Sequence, residues 1–182
     1  MTHSAPNIKV RPLGDQDSLE ELTGLLHRAY APLADAGFKF LATHQDVATT
    51  RERAQSGWCL VAERARALVG TPTLYRPLAD TPCDYYRREG ILVFGQFGVE
   101  PALQGHGIGR ALLKAAEALA LQLGALELTL DTAEGALSLI AMYERWGFEK
   151  VATADWRPTT NYLSVVMASR LGASNAGRFS DQ

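Results

Sequence analysis

The feature of the sequence that most constrains its fold is a glycine-rich turn between a strand pattern and a helix pattern. Residues 91–99 are rich in β-branched and aromatic side chains, which favours a strand. A helix pattern runs from Gly107 to Gly124, with apolar residues at helical spacing: Ile108, Leu112, Ala115, Leu119 and Leu123. Residues 126–130 then alternate as a second strand. This order predicts a crossover that joins two parallel strands.

The rest of the chain alternates in the same way between strand and helix patterns. Strand patterns cover five further segments: 8–11, 58–63, 67–75, 148–155 and 162–167. Helical spacing is found in three others: 19–29, 46–55 and 134–146. We predict loops over 31–43 and 76–90, which hold prolines. The order β-α-α-β-β-β-α-β-α-β-β indicates an α/β fold, in which a mixed sheet of about seven strands carries helices on its faces.

Length and charge exclude several broad classes of protein. The 182 residues, 47% hydrophobic and 21% charged, suit one globular domain. We place this domain at 1–170 and expect the small, polar residues 171–182 to form a disordered tail. A net charge of -2 gives no general attraction to nucleic acid or membrane. No secretion signal, membrane span or metal-ligand spacing is found, so we expect a soluble cytoplasmic protein without a metal.

Three glycines alternate within the turn, at positions 105, 107 and 109. Glycine lets the backbone approach a ligand closely, and free N–H groups at a helix N-terminus favour an anion such as a pyrophosphate. The other interpretation is a tight turn whose glycines serve only helix–strand packing. Two common nucleotide motifs do not fit. A P-loop needs Lys and then Ser or Thr where this chain has Arg110 and Ala111, and a dinucleotide fingerprint needs Gly or Ala in place of Arg110.

The run Gln-Gly-His-Gly-Ile-Gly at 104–109 resembles the Q/R-x-x-G-x-G/A acetyl-CoA motif of the GCN5-related N-acetyltransferases, the GNAT superfamily. Residues 97–101 resemble the strand end that precedes this motif, and 139–148 resemble the family's late helix, which often ends as LYExxGF. The order of elements agrees over about 8–167. The resemblance implies a single GNAT domain in which the parallel strands splay apart at the cofactor site.

The resemblance also implies a set of contacts to acetyl-CoA. Main-chain groups of the strand would bind pantetheine, and the amides of the turn would hold the pyrophosphate. The residues concerned are Phe97, Val99, Gln104, Gly105, His106, Gly107, Ile108, Gly109 and Arg110. Lys114, one turn into the helix, is either a phosphate contact or a solvated surface lysine.

The reaction implied is direct transfer of an acetyl group from acetyl-CoA to a primary amine of a small molecule or amino compound. Tyr143 matches the family's general acid for the departing thiolate, although a core aromatic at this position is the other interpretation. Many relatives carry Glu where this chain has Gln96. We assign Gln96 to orienting a water, so the base is a bound water, a carboxylate such as Glu89 or Glu134, or unnecessary. Asp131 and Glu134 either face the substrate or cap a helix.

Substrate signals are weaker. In this family the acceptor lies near the first two helices and the last hairpin, which predicts an aromatic-lined pocket for a small amine. Our candidates are Phe38, Phe40, Glu134, Trp156 and Tyr162. Transfer of another acyl group or to an oxygen acceptor stays open, as does a plain nucleotide-binding domain. The absence of Glu at position 96 keeps a non-catalytic acyl-CoA-binding or sensing module as the main alternative. Members of the family often form homodimers, but no pattern in this chain indicates one.

Overall fold

The computed structural model of the chain describes residues 7–172. Seven strands make up the sheet: β1 Lys9–Pro12, β2 Trp58–Arg64, β3 Ala67–Tyr75, β4 Ile91–Val99, β5 Glu127–Ala133, β6 Glu149–Asp155 and β7 Leu163–Arg170. The α-helices are α1 Leu19–Asp35, α2 Val47–Gln55, α3 Ile108–Gln122 and α4 Leu137–Arg145. Short 3-10 turns lie at Leu41–Thr43, Asp84–Arg87 and Pro101–Leu103.

The strands form one mixed sheet in the order β1-β2-β3-β4-β5-β7-β6. Among the strands of residues 7–172, only β4 and β5 pair in parallel, and every other neighbouring pair is antiparallel. The predicted α/β class and element order are therefore confirmed, including the parallel strands on either side of the glycine-rich turn. Within residues 7–172 no helix is both long and apolar enough to cross a bilayer.

Alternation along the strands divides the core between the two faces of the sheet. Cys59 and Val61 of β2 pack with Leu22 and Leu25 of α1. Their neighbour Leu60 belongs to the opposite core, together with Leu113 of α3 and α4 residues. Helices α1 and α2 thus cover one face, and α3 and α4 cover the other, so the sheet is buried on both sides around its centre.

The parallel pair β4–β5 separates partway along its length. Pairing runs only from Ile91 to Val93 on β4, opposite 127–129 on β5. Beyond this point β4 pairs with β3 and β5 pairs with β7. The β3–β4 register also slips, because Gln96 and Phe97 lie opposite the single residue Pro72. Proline has no N–H to donate to the ladder, which favours a bulge at this place. The two strands therefore diverge and leave a gap in the sheet.

Two helix boundaries and one buried helix face differ from the sequence predictions. Helix α1 continues to Asp35 through Pro32, where we predicted a loop. Proline removes one N–H from the helical ladder, but later N–H groups continue it, such as that of Ala36, which donates to Pro32 O at 3.1 Å. Helix α4 begins at Leu137 rather than 134, because β5 pairs with β7 as far as Ala133. The buried face of α3 also differs: Ile108, Leu112, Leu113, Ala116 and Ala120. Of the predicted tail, 173–182 lies outside the described residues.

Candidate active site

A cleft of about 790 Å³ passes through the gap between β4 and β5. One end is lined by the glycine-rich turn and by α4, and the other by residues of α1 and α2. The cleft therefore connects the two faces of the sheet at the point where the strands diverge. A long, narrow ligand could lie along the first end and meet a second molecule at the other.

The first end of the cleft is the uncapped N-terminus of α3. Ser18 caps α1 and Asp46 caps α2, each by accepting a backbone N–H, but α3 has no side-chain cap. Among residues 7–172, the N–H groups of Gly107, Ile108 and Gly109 donate to no protein acceptor. These amides, with the positive end of the helix dipole, form a site suited to an anion.

The glycines of the turn fulfil two different requirements. Gly105 and Gly107 have φ of +78° and +82°, which other residues rarely adopt, and a Cβ on either would meet nothing within 4 Å. The space above them is thus open to a ligand. A Cβ on Gly109 would lie 3.1 Å from Trp146 Cη2 and 3.3 Å from Phe97 Cζ, so this glycine allows close packing. The open space at Gly105 and Gly107 leaves the backbone of the turn accessible to an anion.

The other predicted cofactor residues surround this turn. Phe97 and Val99 line the cleft from β4, and Gln104 is held to the strand by a bond of 3.3 Å from its Nε2 to Val99 O. The exposed His106 ring lies with Nδ1 3.0 Å from Gln104 O. Phe97, Val99 and Gln104 are thus brought together at one end of the cleft, whereas His106 does not line it.

Ile108, Arg110 and Lys114 follow the turn along α3, and their side chains differ in burial and contacts. The side chain of Ile108 is buried in the core, so only its main chain faces the turn. The guanidinium carbon of Arg110 lies 5.7 Å from the centre of the Trp146 ring, while Lys114 is exposed and does not line the cleft.

Tyr143 lies on α4 and lines the cleft beside the turn. Its ring is 7% exposed and makes edge contacts with Trp146 and Phe148 at 5.9 and 5.8 Å. Its hydroxyl makes no hydrogen bond within the described part of the chain. Burial raises the pKa of Tyr143 well above its usual 10. The ring of Tyr143 thus packs in the core, while its hydroxyl stays protonated and makes no hydrogen bond within the described residues.

Gln96 occupies the bulge of β4 with φ of +49°, a strained conformation for a residue other than glycine. Its side chain is 2% exposed. The side-chain oxygen accepts from Gln45 Nε2 at 3.1 Å, and its own amide donates to Thr73 Oγ1 at 3.4 Å. The bulge therefore holds Gln96 in a polar network at the edge of the cleft, with one lone pair and one hydrogen still available.

Aromatic rings line the second end of the cleft. Phe40 lies between Tyr30 and Tyr162, with ring centres 5.6 and 4.9 Å away, and all three residues line the cleft. Burial raises the pKa of Tyr30 to about 12. Phe38 stands behind this group, 6.3 Å from Phe40. The structure thus brings together three of the predicted substrate residues, Phe38, Phe40 and Tyr162.

Asp131 was predicted either to face the substrate or to cap a helix. It lies inside β5 and lines the cleft, so it caps no helix. Tyr86 donates to Oδ1 and Trp156 Nε1 donates to Oδ2, both at 3.0 Å. Burial raises the pKa of Asp131 despite these bonds. The predicted substrate residue Trp156 does not line the cleft and instead orients this carboxylate.

Two acidic candidates lie outside the cleft. Glu89 and Glu134 are both exposed, and Glu134 is not in a helix, because α4 begins only at Leu137. Several residues that line the cleft were not predicted from the sequence, among them Arg53 of α2 and Tyr75 of β3. The neighbour of Arg53 on the same helix, Arg51, is exposed and outside the cleft, so the sequence pattern gave no sign of which arginine faces inward.

Comparison with known proteins gives a consistent assignment. A model described as the acetyltransferase (GNAT) family matches residues 21–148. S-(2-succino)cysteine N-acetyltransferase of Bacillus subtilis (strain 168) is 32% identical over 154 residues, which cover 84% of this chain and 90% of that protein.

Solved structures show the same fold at lower identity. PH1933 from Pyrococcus horikoshii OT3 superimposes with a TM-score of 0.70 at 21% identity, covering 90% of this chain and 98% of that one. A GNAT family acetyltransferase from Elizabethkingia anophelis with acetyl-CoA bound has a TM-score of 0.63 at 18% identity, with 91% and 99% covered.

Proposed function

The chain belongs to the GNAT family of acetyltransferases, and we propose that it transfers an acetyl group from acetyl-CoA to a primary amine of a small amino compound. The observation that carries the proposal is the placement of Tyr143 in one cleft with the uncapped N-terminus of α3. The N-terminus of α3 would bind the phosphates of acetyl-CoA, and Tyr143 would lie near its thioester as a proton donor.

The chain's own groups would hold acetyl-CoA at the first end of the cleft. The N–H groups of the turn, from Gly105 to Gly109, suit the pyrophosphate, and within the described residues β4 does not pair with β5 beyond Val93. Main-chain groups of Phe97 and Val99 are therefore our candidates for the pantetheine amides. Bound there, acetyl-CoA supplies an activated acetyl thioester.

Tyr143 is the candidate general acid. Because burial raises its pKa, the phenol stays protonated at neutral pH and is a donor rather than a base. A thiolate leaving group needs one proton, and a hydroxyl without a partner can give it without breaking another hydrogen bond. Its contacts with Trp146 and Phe148 fix the ring, which supports a positioned donor.

Asp131 is the candidate proton acceptor at the other end. Its carboxylate keeps one lone pair on each oxygen after the bonds from Tyr86 and Trp156. A carboxyl with a raised pKa is a stronger base than an exposed one. Asp131 therefore supplies the carboxylate that many relatives carry at the position of Gln96. Gln96 stays a prediction as the residue that orients a water, using its remaining hydrogen or lone pair.

The acceptor is proposed as a small molecule. The Bacillus subtilis relative is named for the acetylation of S-(2-succino)cysteine, an amino compound. The second end of this chain's cleft is walled by Tyr30, Phe40 and Tyr162, and aromatic walls are typical of small-molecule pockets.

The test compares wild type with Tyr143→Phe in two assays. Calorimetric titration with acetyl-CoA measures the cofactor site, and release of the CoA thiol on addition of amines measures turnover. We expect both proteins to bind acetyl-CoA equally and the variant to turn over at least about tenfold more slowly. Binding without turnover on any amine would instead support a non-catalytic acyl-CoA-binding module.

A further inference from the structure

Two opposite charges face the second end of the cleft without an ion partner. Arg53 of α2 and Asp131 of β5 both line it, and both are partly buried. Within residues 7–172 neither belongs to a salt bridge, with each other or with a third group. Charged groups removed from water are normally paired. Two charges without partners in one cleft therefore indicate that a ligand supplies both partners.

Each of the two charges is held in place by neutral neighbours. Arg53 donates from one terminal nitrogen to Gln45 Oε1 at 2.5 Å, and Gln45 is itself bonded to Gln96. A guanidinium has five N–H donors, so most remain for a ligand. Tyr86 and Trp156 hold the carboxylate of Asp131 in the same manner. Both groups are thus oriented before a ligand arrives, which lowers the entropic cost of binding.

The surroundings of Arg53 are suited to an anion. Burial raises the pKa of Tyr30, Tyr75 and Asp131, and the nearby positive charge of Arg53 opposes this rise in all three. The hydroxyl of Tyr75, which also lines the cleft, is buried and makes no hydrogen bond of good geometry among the described residues, and it lies near Arg53 and Thr73. A ligand carboxylate would accept from both Arg53 and Tyr75.

We propose that the acceptor is an α-amino acid, whose carboxylate binds Arg53 and whose amino group lies against Asp131. This inference rests on the proposed acetyltransferase function and adds the substrate class and its specificity-determining residue. A plain amine would leave Arg53 without a partner, and a dicarboxylate without an amine would be repelled by Asp131. The rings of Tyr30, Phe40 and Tyr162 would then surround an apolar or thioether side chain.

Matched pairs of acceptors test the proposal. L-phenylalanine is compared with phenethylamine, and L-methionine with 3-(methylthio)propylamine, so that each pair differs in the carboxylate alone. Turnover is measured by release of the CoA thiol, and binding by calorimetry on the CoA-saturated protein. For wild type we expect kcat/KM to be at least about 30-fold higher for an amino acid than for its amine, the effect of a hydrogen-bonded charge.

Variants assign this preference to Arg53. Arg53→Met should remove the preference by lowering kcat/KM at least about tenfold more for the amino acids than for the amines. Arg53→Lys, which keeps the charge but loses the planar fork, should retain part of it. Arg51→Met, which replaces an exposed arginine of the same helix, is the matched control and should change neither. Thermal unfolding checks that each variant is folded.

The outcomes separate this inference from the proposed function. Equal losses for amino acid and amine in Arg53→Met would reduce Arg53 to a structural role and overturn the inference. So would wild-type protein that prefers the amines or that neither binds nor acetylates any amino acid of the panel. Amino acids that bind through Arg53 but are never acetylated would overturn the proposed function and leave the carboxylate site standing.

Discussion

Replacement of Gly107 by alanine separates the conformational role of the turn from its ligand role. Gly107 has φ of +82°, and an added Cβ would meet nothing within 4 Å. The substitution therefore introduces strain but no clash with the protein, and we expect it to lower the free energy of unfolding by about 1–2 kcal/mol. The added methyl group would, however, project into the space that we assign to the pyrophosphate.

Gly124 provides a matched control at the other end of α3. It has φ of +78°, a Cβ added there would also meet nothing within 4 Å, and it does not line the cleft. Gly124→Ala should lower the free energy of unfolding by a similar amount, roughly 1–2 kcal/mol, which is the cost of a left-handed backbone alone.

A hydrogen bond to a charged group contributes about 1.5–3 kcal/mol. Loss of one in Gly107→Ala should thus weaken acetyl-CoA binding by about tenfold or more.

Chemical denaturation gives the two stabilities, and calorimetric titration gives the two affinities. The expected pattern is equal destabilisation of both variants with weakened acetyl-CoA binding in Gly107→Ala only. Gly107→Val, with its bulkier side chain, should abolish binding. Wild-type affinity in Gly107→Ala would refute the assignment of the turn to the pyrophosphate, whatever its effect on stability.

Three further predictions concern other side chains. Tyr143→Phe should lower kcat by at least about tenfold at unchanged acetyl-CoA affinity; an unchanged kcat would leave Tyr143 a core aromatic only. Asp131→Asn should lower kcat/KM for the amine by about 100-fold, and it should raise Tm at neutral pH. Burial raises the pKa of Asp131, so folding favours the protonated carboxyl and the charged form costs stability at neutral pH. The gain in Tm from Asn should therefore disappear as pH falls below the ordinary pKa of 3.8. A gain that persists in acid would contradict this reasoning. Arg11→Met should lose about 1 kcal/mol of stability through Asp17 and Glu63. Arg11 lowers the pKa of Asp17, so this contribution is present above 3.8 and is lost as pH falls through the lowered pKa; a pH-independent loss would count against it.

The order of strands and helices and the position of the glycine-rich turn could be predicted because their signals are local. Residues 91–99 are rich in strand-forming side chains and 108–122 carry apolar residues at helical spacing, so each signal lies within a single stretch of sequence. The turn's motif likewise lies within six consecutive residues. By contrast, the extension of β5 to Ala133 depends on pairing with β7, a contact between residues far apart in the chain.

The acceptor end could not be predicted in the same way, because its residues come from separate elements. Asp131 comes directly after the alternating residues 126–130. Because Asp is also a common helix cap, the sequence did not decide between the two positions. The place of Asp131 in the cleft is set by the splay of β4 from β5. Arg53 belongs to a short polar helix in which only Thr50 and Ala54 are buried, so no hydrophobic periodicity distinguishes it from Arg51. Only the packing of α2 on the sheet does so.

The central claim is that this cleft acetylates an amine at the expense of acetyl-CoA. The most direct measurement is amine-dependent release of the CoA thiol by the wild-type protein, with the product identified by mass spectrometry. We predict one acetylated amine formed for each thiol released, with an amino acid as the preferred acceptor. Saturable binding of acetyl-CoA with no acetylated product from any amine would contradict the claim.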